Sequence, residues 1–161
     1  NTNMPLYQTE DVTRTNWRTQ IQYRISSSIT LRTRAELVWY DKGQPQAAQG
    51  FLAFADILYA PLMQPFSFNA RLQYFETEDY NSRIFAFEND VRYSFTIPGF
   101  FGKGFRSYLN INYDVNRKLT TWLRVAHSFY PHQTTIGSGN DEIAGNKRTD
   151  VKLQFLYLFG H

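Results

Sequence analysis

The chain has 161 residues, of which 42% are hydrophobic, 17% aromatic and 19% charged, with no cysteine and a formal net charge of +3. This content of hydrophobic and aromatic residues is too high for an intrinsically disordered chain, and the length suits about one domain. The small positive charge is spread along the sequence, so nothing in it favours nucleic-acid binding by this segment.

The hydrophobic residues are interspersed with polar ones, as the mean hydropathy of −0.48 indicates. No run approaches the roughly 18 consecutive apolar residues that a membrane-spanning helix requires. A helical membrane protein is therefore excluded. The other way to satisfy every backbone group within lipid is a closed antiparallel β-barrel, whose sequence signal is alternation. The lack of cysteine is compatible with the periplasm or outer membrane, and equally with the cytosol.

Polar and apolar residues alternate with period two from Asn16 to Phe159, in segments separated by turn-forming clusters. In the first segment, for example, Trp17, Ile21 and Tyr23 fall on one face, while Arg18 and Arg24 fall on the other. The pattern predicts eight strands. They cover residues 16–25, 29–39, 51–60, 66–74, 85–95, 106–115, 119–129 and 151–159.

The predicted connections test this strand count. Outer-membrane barrels alternate short periplasmic turns with longer surface loops. The short turns 26–28 and 61–65 fall on one side of the predicted barrel, but the short turn 116–118 falls on the opposite side. Either one strand is miscounted or one surface loop is short.

The two ends of the chain differ from its middle. Residues 1–15 are polar and contain one proline, so we interpret them as a leader or loop, and residues 16–161 as the outer-membrane β-barrel strands. We expect any secretion signal to have been removed or to lie upstream. Tyr157 and Phe159 resemble the C-terminal assembly signal of outer-membrane barrels, although Gln154 stands where that signal usually has glycine.

A soluble β-sandwich also alternates, but three features favour a transmembrane barrel. The strands run to about ten residues, the length that crosses a bilayer when tilted, against about five or six in soluble sheets. Aromatic residues gather near the strand ends, where amphipathic rings meet a membrane interface. The polar face carries charges throughout the strand interiors. The aromatic residues in question are Trp17, Trp39, Tyr59, Phe66, Tyr74, Phe95, Phe105, Phe129, Tyr157 and Phe159.

Nine basic and five acidic residues make up the predicted lumen-facing set. They are Arg18, Arg24, Arg32, Arg34, Glu36, Asp56, Arg71, Glu88, Asp90, Arg92, Arg106, Asp114, Arg124 and Lys152. One interpretation is a structural ladder in which opposite charges pair across neighbouring strands. The other is a pore that weakly attracts anions through its surplus arginines.

The sequence assembles no evident catalytic, metal or cofactor site. His127, His132 and His161 lack the spacing of a zinc site. A hydrolytic trio of His127, Ser128 and Asp114 is disfavoured because His127 and Ser128 point to opposite faces of a strand. The glycines of 99–105 precede no helix, so they do not form a phosphate-binding loop, and residues 137–141 lack the spaced carboxylates of a calcium loop. We expect no enzyme activity and no cofactor.

Several short motifs, taken together, resemble a known family of outer-membrane proteins. The motifs are NTNMPLYQTE (1–10), LVWY (37–40), DILY (56–59), FENDVRYSFTI (87–97), GKG (102–104), WLR (122–124) and TIGSGNDEIAGN (135–146). The chain resembles the C-terminal barrel portion of Bacteroidota outer-membrane proteins whose N-terminal region carries helix-hairpin-helix repeats. The resemblance covers nearly the whole chain and implies the last eight strands of a larger barrel in the bacterial outer membrane. No helix-hairpin-helix unit lies in these residues, so nucleic-acid contact is not carried over.

The expected function is that of a passive channel or transport component, with outer-membrane lipid and the barrel-assembly machinery as partners. The alternative is a non-conducting structural barrel that anchors periplasmic domains or belongs to an envelope complex. The filling of the lumen separates the two, because an eight-stranded barrel is just wide enough for its own side chains.

Overall fold

A computed structural model of the chain describes residues 12–159 except 42, 44, 46 and 138. The predicted leader, the motif 1–10 and His161 lie largely or wholly outside these residues. The described part is all-β. Its strands are β1 (Arg14–Arg24), β2 (Ile29–Tyr40), β3 (Ala48–Tyr59), β4 (Phe66–Thr77), β5 (Ile84–Phe85), β6 (Gly99–Phe100), β7 (Lys103–Asp114), β8 (Leu119–Phe129), β9 (Thr135–Ile136), β10 (Ile143–Ala144) and β11 (Lys147–Tyr157). A short 3₁₀ helix spans Gly139–Asp141.

Seven long strands form one antiparallel sheet in the order β1-β2-β3-β4-β7-β8-β11. The alternation seen in the sequence places two kinds of side chain on its two sides, since successive residues of a strand point to opposite faces. The polar face carries Arg18, Glu36 and Asp56, and the apolar face carries Trp17 and Ile57. No helix in the described part of the chain has the length and apolarity that a membrane crossing requires.

The predicted fifth strand, 85–95, is wrong. β4 pairs directly with β7 over eleven residue pairs, so no place remains for a strand between them. Residues 78–102, which we call the insert, fold back across the polar face, and β5 and β6 pair within it. Residues 85–95 do not form one continuous strand for two reasons. The chain turns at Asp90, whose carboxylate accepts a hydrogen bond from the backbone N–H of Val91. Tyr93 has a φ of 64°, which is incompatible with an extended strand.

This correction resolves the mismatch in connection length. With seven strands, the short turns 25–28, 60–65 and 115–118 all lie at one end of the sheet. The long connections 41–47, 78–102 and 130–146 all lie at the other end. The miscounted strand, rather than a short surface loop, was the source of the discrepancy.

The described core is small and lies between the sheet and the insert. Val38, Leu52 and Phe75 come from the polar face near the long-connection end and are 0% exposed. Ile84 and Phe100 of the insert pack against them. The core therefore sits on the side of the sheet that also carries the charges, and it anchors the insert there.

The seven-stranded sheet is not closed into a barrel. Within the described residues, β1 pairs along one edge with β2, and β11 pairs along one edge with β8. Because seven antiparallel strands alternate in direction, β1 and β11 run the same way, from the long-connection end to the short-turn end. Direct pairing of these two strands would therefore be parallel.

Candidate functional site

The polar face carries eleven of the fourteen charged residues that the sequence singled out, on seven strands. A central row runs through Arg32, Asp56 and Arg71, which are register partners on β2, β3 and β4. The Nε of Arg32 lies 3.0 Å from Oδ2 of Asp56, and Arg71 donates to both carboxylate oxygens at 2.6 and 2.8 Å. Asp56 and Arg71 are each 2% exposed, so this row is a buried ionic network.

A second cluster surrounds Glu36, nearer the long-connection end. Arg18 donates to both of its carboxylate oxygens, at 2.9 and 3.1 Å, in the two-pronged arrangement that makes arginine pairs strong. Arg34 contacts the same carboxylate. Each of these two buried carboxylates, Asp56 and Glu36, thus holds two guanidinium groups.

The insert supplies the carboxylates for the other half of the polar face. Glu88 accepts two hydrogen bonds of 3.0 Å from Arg106 and also contacts Arg124. Asp90 contacts Nη1 of Arg124 at 2.9 Å and Nζ of Lys152 at 2.6 Å. Both carboxylates are 0% exposed. Arg106, Arg124 and Lys152, on β7, β8 and β11, therefore have carboxylate partners on the insert.

Side chains of the sheet also hold the backbone of the insert. Arg34 donates to the carbonyl of Phe85 at 3.1 Å, Arg71 to that of Phe87 at 2.7 Å, and Asn110 to that of Asn89 at 2.7 Å. Backbone carbonyl groups that are shielded from water need a hydrogen-bond donor, and these three bonds are part-buried. The spacing of three polar-face donors thus fixes the path of the irregular segment.

The electrostatic state of Asp90 follows from its surroundings. Burial alone would raise its pKa, but the hydrogen bonds from Lys152, the Val91 backbone and Thr96, with the charge of Arg124, lower the pKa of Asp90 to about 2. Asp90 is therefore ionised at all but strongly acidic pH.

Three residues of the predicted set lie away from these clusters. Arg24 and Asp114 are exposed on the polar face near the short-turn end, where Thr120 donates to Asp114 at 2.7 Å. Arg92 is exposed on the insert, 6.0 Å from the ring of Trp122. Glu88, Asp90 and Arg92 belong to the insert and not to a strand, which corrects their predicted placement.

Three charged residues of the polar face were missed: Arg14 on β1, which donates to the carbonyl of Arg83 in the insert at 2.6 Å, and two residues near the start of β11. Arg148 and Asp150 belong to β11, and Asp150 lies 3.5 Å from Arg106 and 3.1 Å from Arg148. Both have the same parity as Lys152, so extending the last predicted strand back to Lys147 would have found them.

Large hydrophobic side chains on the apolar face are exposed across all seven strands. Ile21 is 61% exposed, Leu72 72% and Val151 64%. No second sheet covers this face in the described residues. The arrangement is the reverse of a soluble sandwich, in which the apolar sides of two sheets pack together.

Aromatic residues on the apolar face lie towards the strand ends, with smaller side chains between them. The set nearer the long connections is Trp17, Trp39, Phe51, Tyr74, Phe105 and Phe129. The set nearer the short turns is Tyr23, Tyr59, Phe66, Phe68, Tyr113, Phe155 and Tyr157. The residues between them are mainly alanine, valine, leucine, isoleucine, threonine and serine.

The structure places His127 and Ser128 of the disfavoured hydrolytic trio on opposite faces of β8. His127 faces the apolar side, with Nδ1 2.9 Å from the hydroxyl of Thr149, whereas Ser128 faces the polar side and accepts a hydrogen bond from Arg106. The described residues contain no group of three or more His, Asp or Glu side chains placed to hold a metal ion.

Comparison of the chain with protein-family models, curated proteins and solved structures gave no match. The resemblance to Bacteroidota helix-hairpin-helix outer-membrane proteins therefore stays a prediction.

Proposed function

We propose that this sheet is part of an outer-membrane β-barrel that acts as a passive channel or transport component, with its apolar face towards lipid and its polar face towards the lumen. The observation that carries the proposal is the uncovered apolar face. An exposed apolar surface that crosses seven strands far exceeds the few hundred Å² that soluble monomers expose. Lipid is the environment in which such a surface is stable.

Strand length and the two aromatic bands support the same environment. The long strands have 11 or 12 residues, which suits the roughly 9–11 residues that a tilted strand needs to cross a bilayer. Outer-membrane barrels carry aromatic girdles at both interfaces around an apolar band about 25 Å tall. The aromatic sets at the two strand ends correspond to such girdles.

The positions of the aromatic residues nearer the short turns support a tilt of the strands relative to the membrane. Tyr23 on β1 lies in a cross-strand row that reaches Val151 on β11. On β11 the aromatic residues lie four and six positions further along, at Phe155 and Tyr157. An aromatic band that is parallel to the membrane shifts to later residues on successive strands only when the strands are tilted relative to the membrane. Closure of a barrel requires such a tilt.

Closure of this barrel requires more strands than the seven described. Since β1 and β11 run in the same direction, an all-antiparallel barrel needs an odd number of further strands between them. A second copy in the same orientation does not supply this, because the junction between β11 of one copy and β1 of the other would again be parallel. A barrel with more than seven strands agrees with the larger barrel that the family resemblance implies.

The charges of the polar face favour anions over cations. Seven basic side chains, on β1, β2, β4, β7, β8 and β11, surround the four buried carboxylates Glu36, Asp56, Glu88 and Asp90. Arg24 and Arg92 are exposed in addition. A conduit lined in this way concentrates anions.

The alternative is a non-conducting structural barrel within an envelope complex, and the insert favours it. Residues 78–102 cover the middle of the polar face and are fixed there by ion pairs and an apolar core. If the remaining wall of the barrel lies close to the insert, no continuous water path exists.

Planar-bilayer recording of the purified protein in a potassium chloride gradient separates the two functions. A passive channel gives stable conductance with a reversal potential displaced towards that of chloride, and Arg24→Gln reduces the displacement. Lys147→Gln is the matched control, because Lys147 is on the apolar side, 5.8 Å from the Phe129 ring. A cation-selective conductance contradicts the anion preference. Correctly inserted protein that never conducts favours the structural alternative.

A further inference from the structure

A cavity of about 720 Å³ opens on the polar face near the long-connection end. Its walls are residues 96–101 of the insert, parts of β7, β8 and β11, and residues 130–137. This volume lies within the roughly 300–1,000 Å³ range of pockets that bind small molecules.

Three neighbouring strands bring four cations into the lining of this cavity. Arg106 on β7 and Arg148 on β11 are both register partners of Ser128 on β8, so they flank it in one row. Arg124 and Lys152 are register partners of each other in a second row, four residues along the strands. The antiparallel register thus concentrates positive charge at a single place on the face.

The acidic groups near these cations do not neutralise all of them. Glu88 and Asp90 are wholly buried behind the cavity and pair with Arg106, Arg124 and Lys152. Asp150 lines the cavity between the two rows. Four cations therefore face three carboxylates, which leaves one positive charge in excess.

The excess charge is available at the cavity surface. The side chain of Lys152 is 41% exposed and that of Arg148 is 52% exposed. Around them the lining offers hydroxyl and amide groups on Ser128, Tyr130, Gln133 and Thr135, and the rings of Phe100 and Phe101. Such a lining suits a ligand that has one negative charge, several hydroxyl groups and a sugar ring whose C–H groups can contact an aromatic side chain.

We propose that this cavity binds a small hydroxylated monoanion of the uronic-acid class. Lys152 and Arg148 contact the carboxylate, and the polar groups around Ser128 and Tyr130 contact the hydroxyl groups. This proposal extends the proposed channel function, because it names a class of solute that the channel would bind. It rests on that function only for its biological meaning, since binding is measurable without conduction.

Calorimetric titration of the purified full chain in detergent with D-glucuronate and with D-glucose tests the proposal. We expect glucuronate to bind and glucose to bind at least about tenfold more weakly, the scale of a charge-assisted contact. Lys152→Gln should weaken glucuronate binding by about five- to tenfold and leave glucose unchanged. Asp150→Asn should strengthen glucuronate binding, because it removes the negative charge that competes with the ligand.

Two features keep the test decisive. Arg24→Gln is the matched control, because it removes a polar-face cation outside the cavity lining and should leave both affinities unchanged. The opposite signs expected for Lys152→Gln and Asp150→Asn separate binding from a loosened fold, which would weaken both variants. Equal affinity for glucuronate and glucose, no binding of either, or weaker binding by Asp150→Asn would overturn the cavity proposal. Chloride-selective conductance alongside any of these results would leave the channel proposal intact.

Discussion

The two faces of the sheet have opposite patterns of burial. On the polar face, charged side chains are buried and paired, as Asp56 and Arg71 are at 2% exposure each. On the apolar face, side chains such as Ile21 and Leu72 are more than half exposed. In a water-soluble protein the two burial patterns would be exchanged. The comparison supports the proposal that one side of this single sheet faces a polar environment and the other side faces lipid.

The strongest test of the polar face is removal of one buried charge. Asp56→Asn leaves Arg71 and Arg32 without their shared carboxylate while keeping the side-chain shape. Breaking a buried ion pair from one side costs about 3–5 kcal/mol, because an uncompensated charge stays buried. Urea unfolding of the protein in phospholipid vesicles measures this loss.

Asp114→Asn is the matched control for that variant, since Asp114 is exposed at the short-turn end. Its free energy of unfolding should change by less than about 0.5 kcal/mol. Equal effects at Asp56 and Asp114 would contradict the buried network.

A pair of adjacent residues on β1 tests the apolar face. Ile21 points to the apolar face and Gln22 to the polar face, and both are exposed. Arginine on the lipid face of a barrel costs about 2–4 kcal/mol near the bilayer midplane. We therefore expect Ile21→Arg to destabilise the vesicle-bound protein by about that amount, and Gln22→Arg to have little effect.

The same unfolding assay in vesicles measures both arginine variants. If both are tolerated equally, the apolar face does not contact lipid, and the assignment of the two faces fails.

The smallest expected effect concerns the insert and pH. Because the folded-state pKa of Asp90 is lowered from 3.8 to about 2, its ionised form contributes stability above pH 4. That contribution is lost as the pH falls through about 2. Limited proteolysis of residues 78–102 should therefore accelerate between pH 4 and pH 2 in the wild-type protein.

Asp90→Asn should show fast cleavage of the insert at every pH in this range, since it lacks the titrating carboxylate. Cleavage of the wild-type insert that is independent of pH would show that Asp90 does not hold it.

The sequence predicts the sheet well because alternation is a direct consequence of strand geometry. Seven of the eight predicted segments are strands, since in each of them the side of a residue follows from its parity. Part of the insert was wrongly predicted as a strand because Phe85 and Phe87 alternate with Ala86 and Glu88 just as strand residues do. The segment is held out of the sheet by contacts across the polar face, and the partners of Asp90, Arg124 on β8 and Lys152 on β11, are distant from it in sequence.

The sequence predicted that opposite charges would pair, but it did not predict which residues form each ion pair. Opposite charges on adjacent strands, such as Arg32 and Asp56, can be paired once the register is known. The contacts of Glu88 and Asp90 with Arg106 and Arg124 form only because the insert folds over the sheet. The local sequence pattern does not predict that fold. The cavity beside them was equally invisible, because it depends on residues 96–101 and 130–137 meeting above β8.

The most direct test of the assignment of the two faces uses the three tryptophans. Trp17 and Trp39 lie on the apolar face, and Trp122 lies on the polar face. Two variants isolate one tryptophan from each face: Trp39→Phe with Trp122→Phe keeps Trp17, and Trp17→Phe with Trp39→Phe keeps Trp122. In vesicles of brominated lipid, the fluorescence of Trp17 should be strongly quenched and that of Trp122 should not. Equal quenching of both, or quenching of Trp122 alone, would contradict the account.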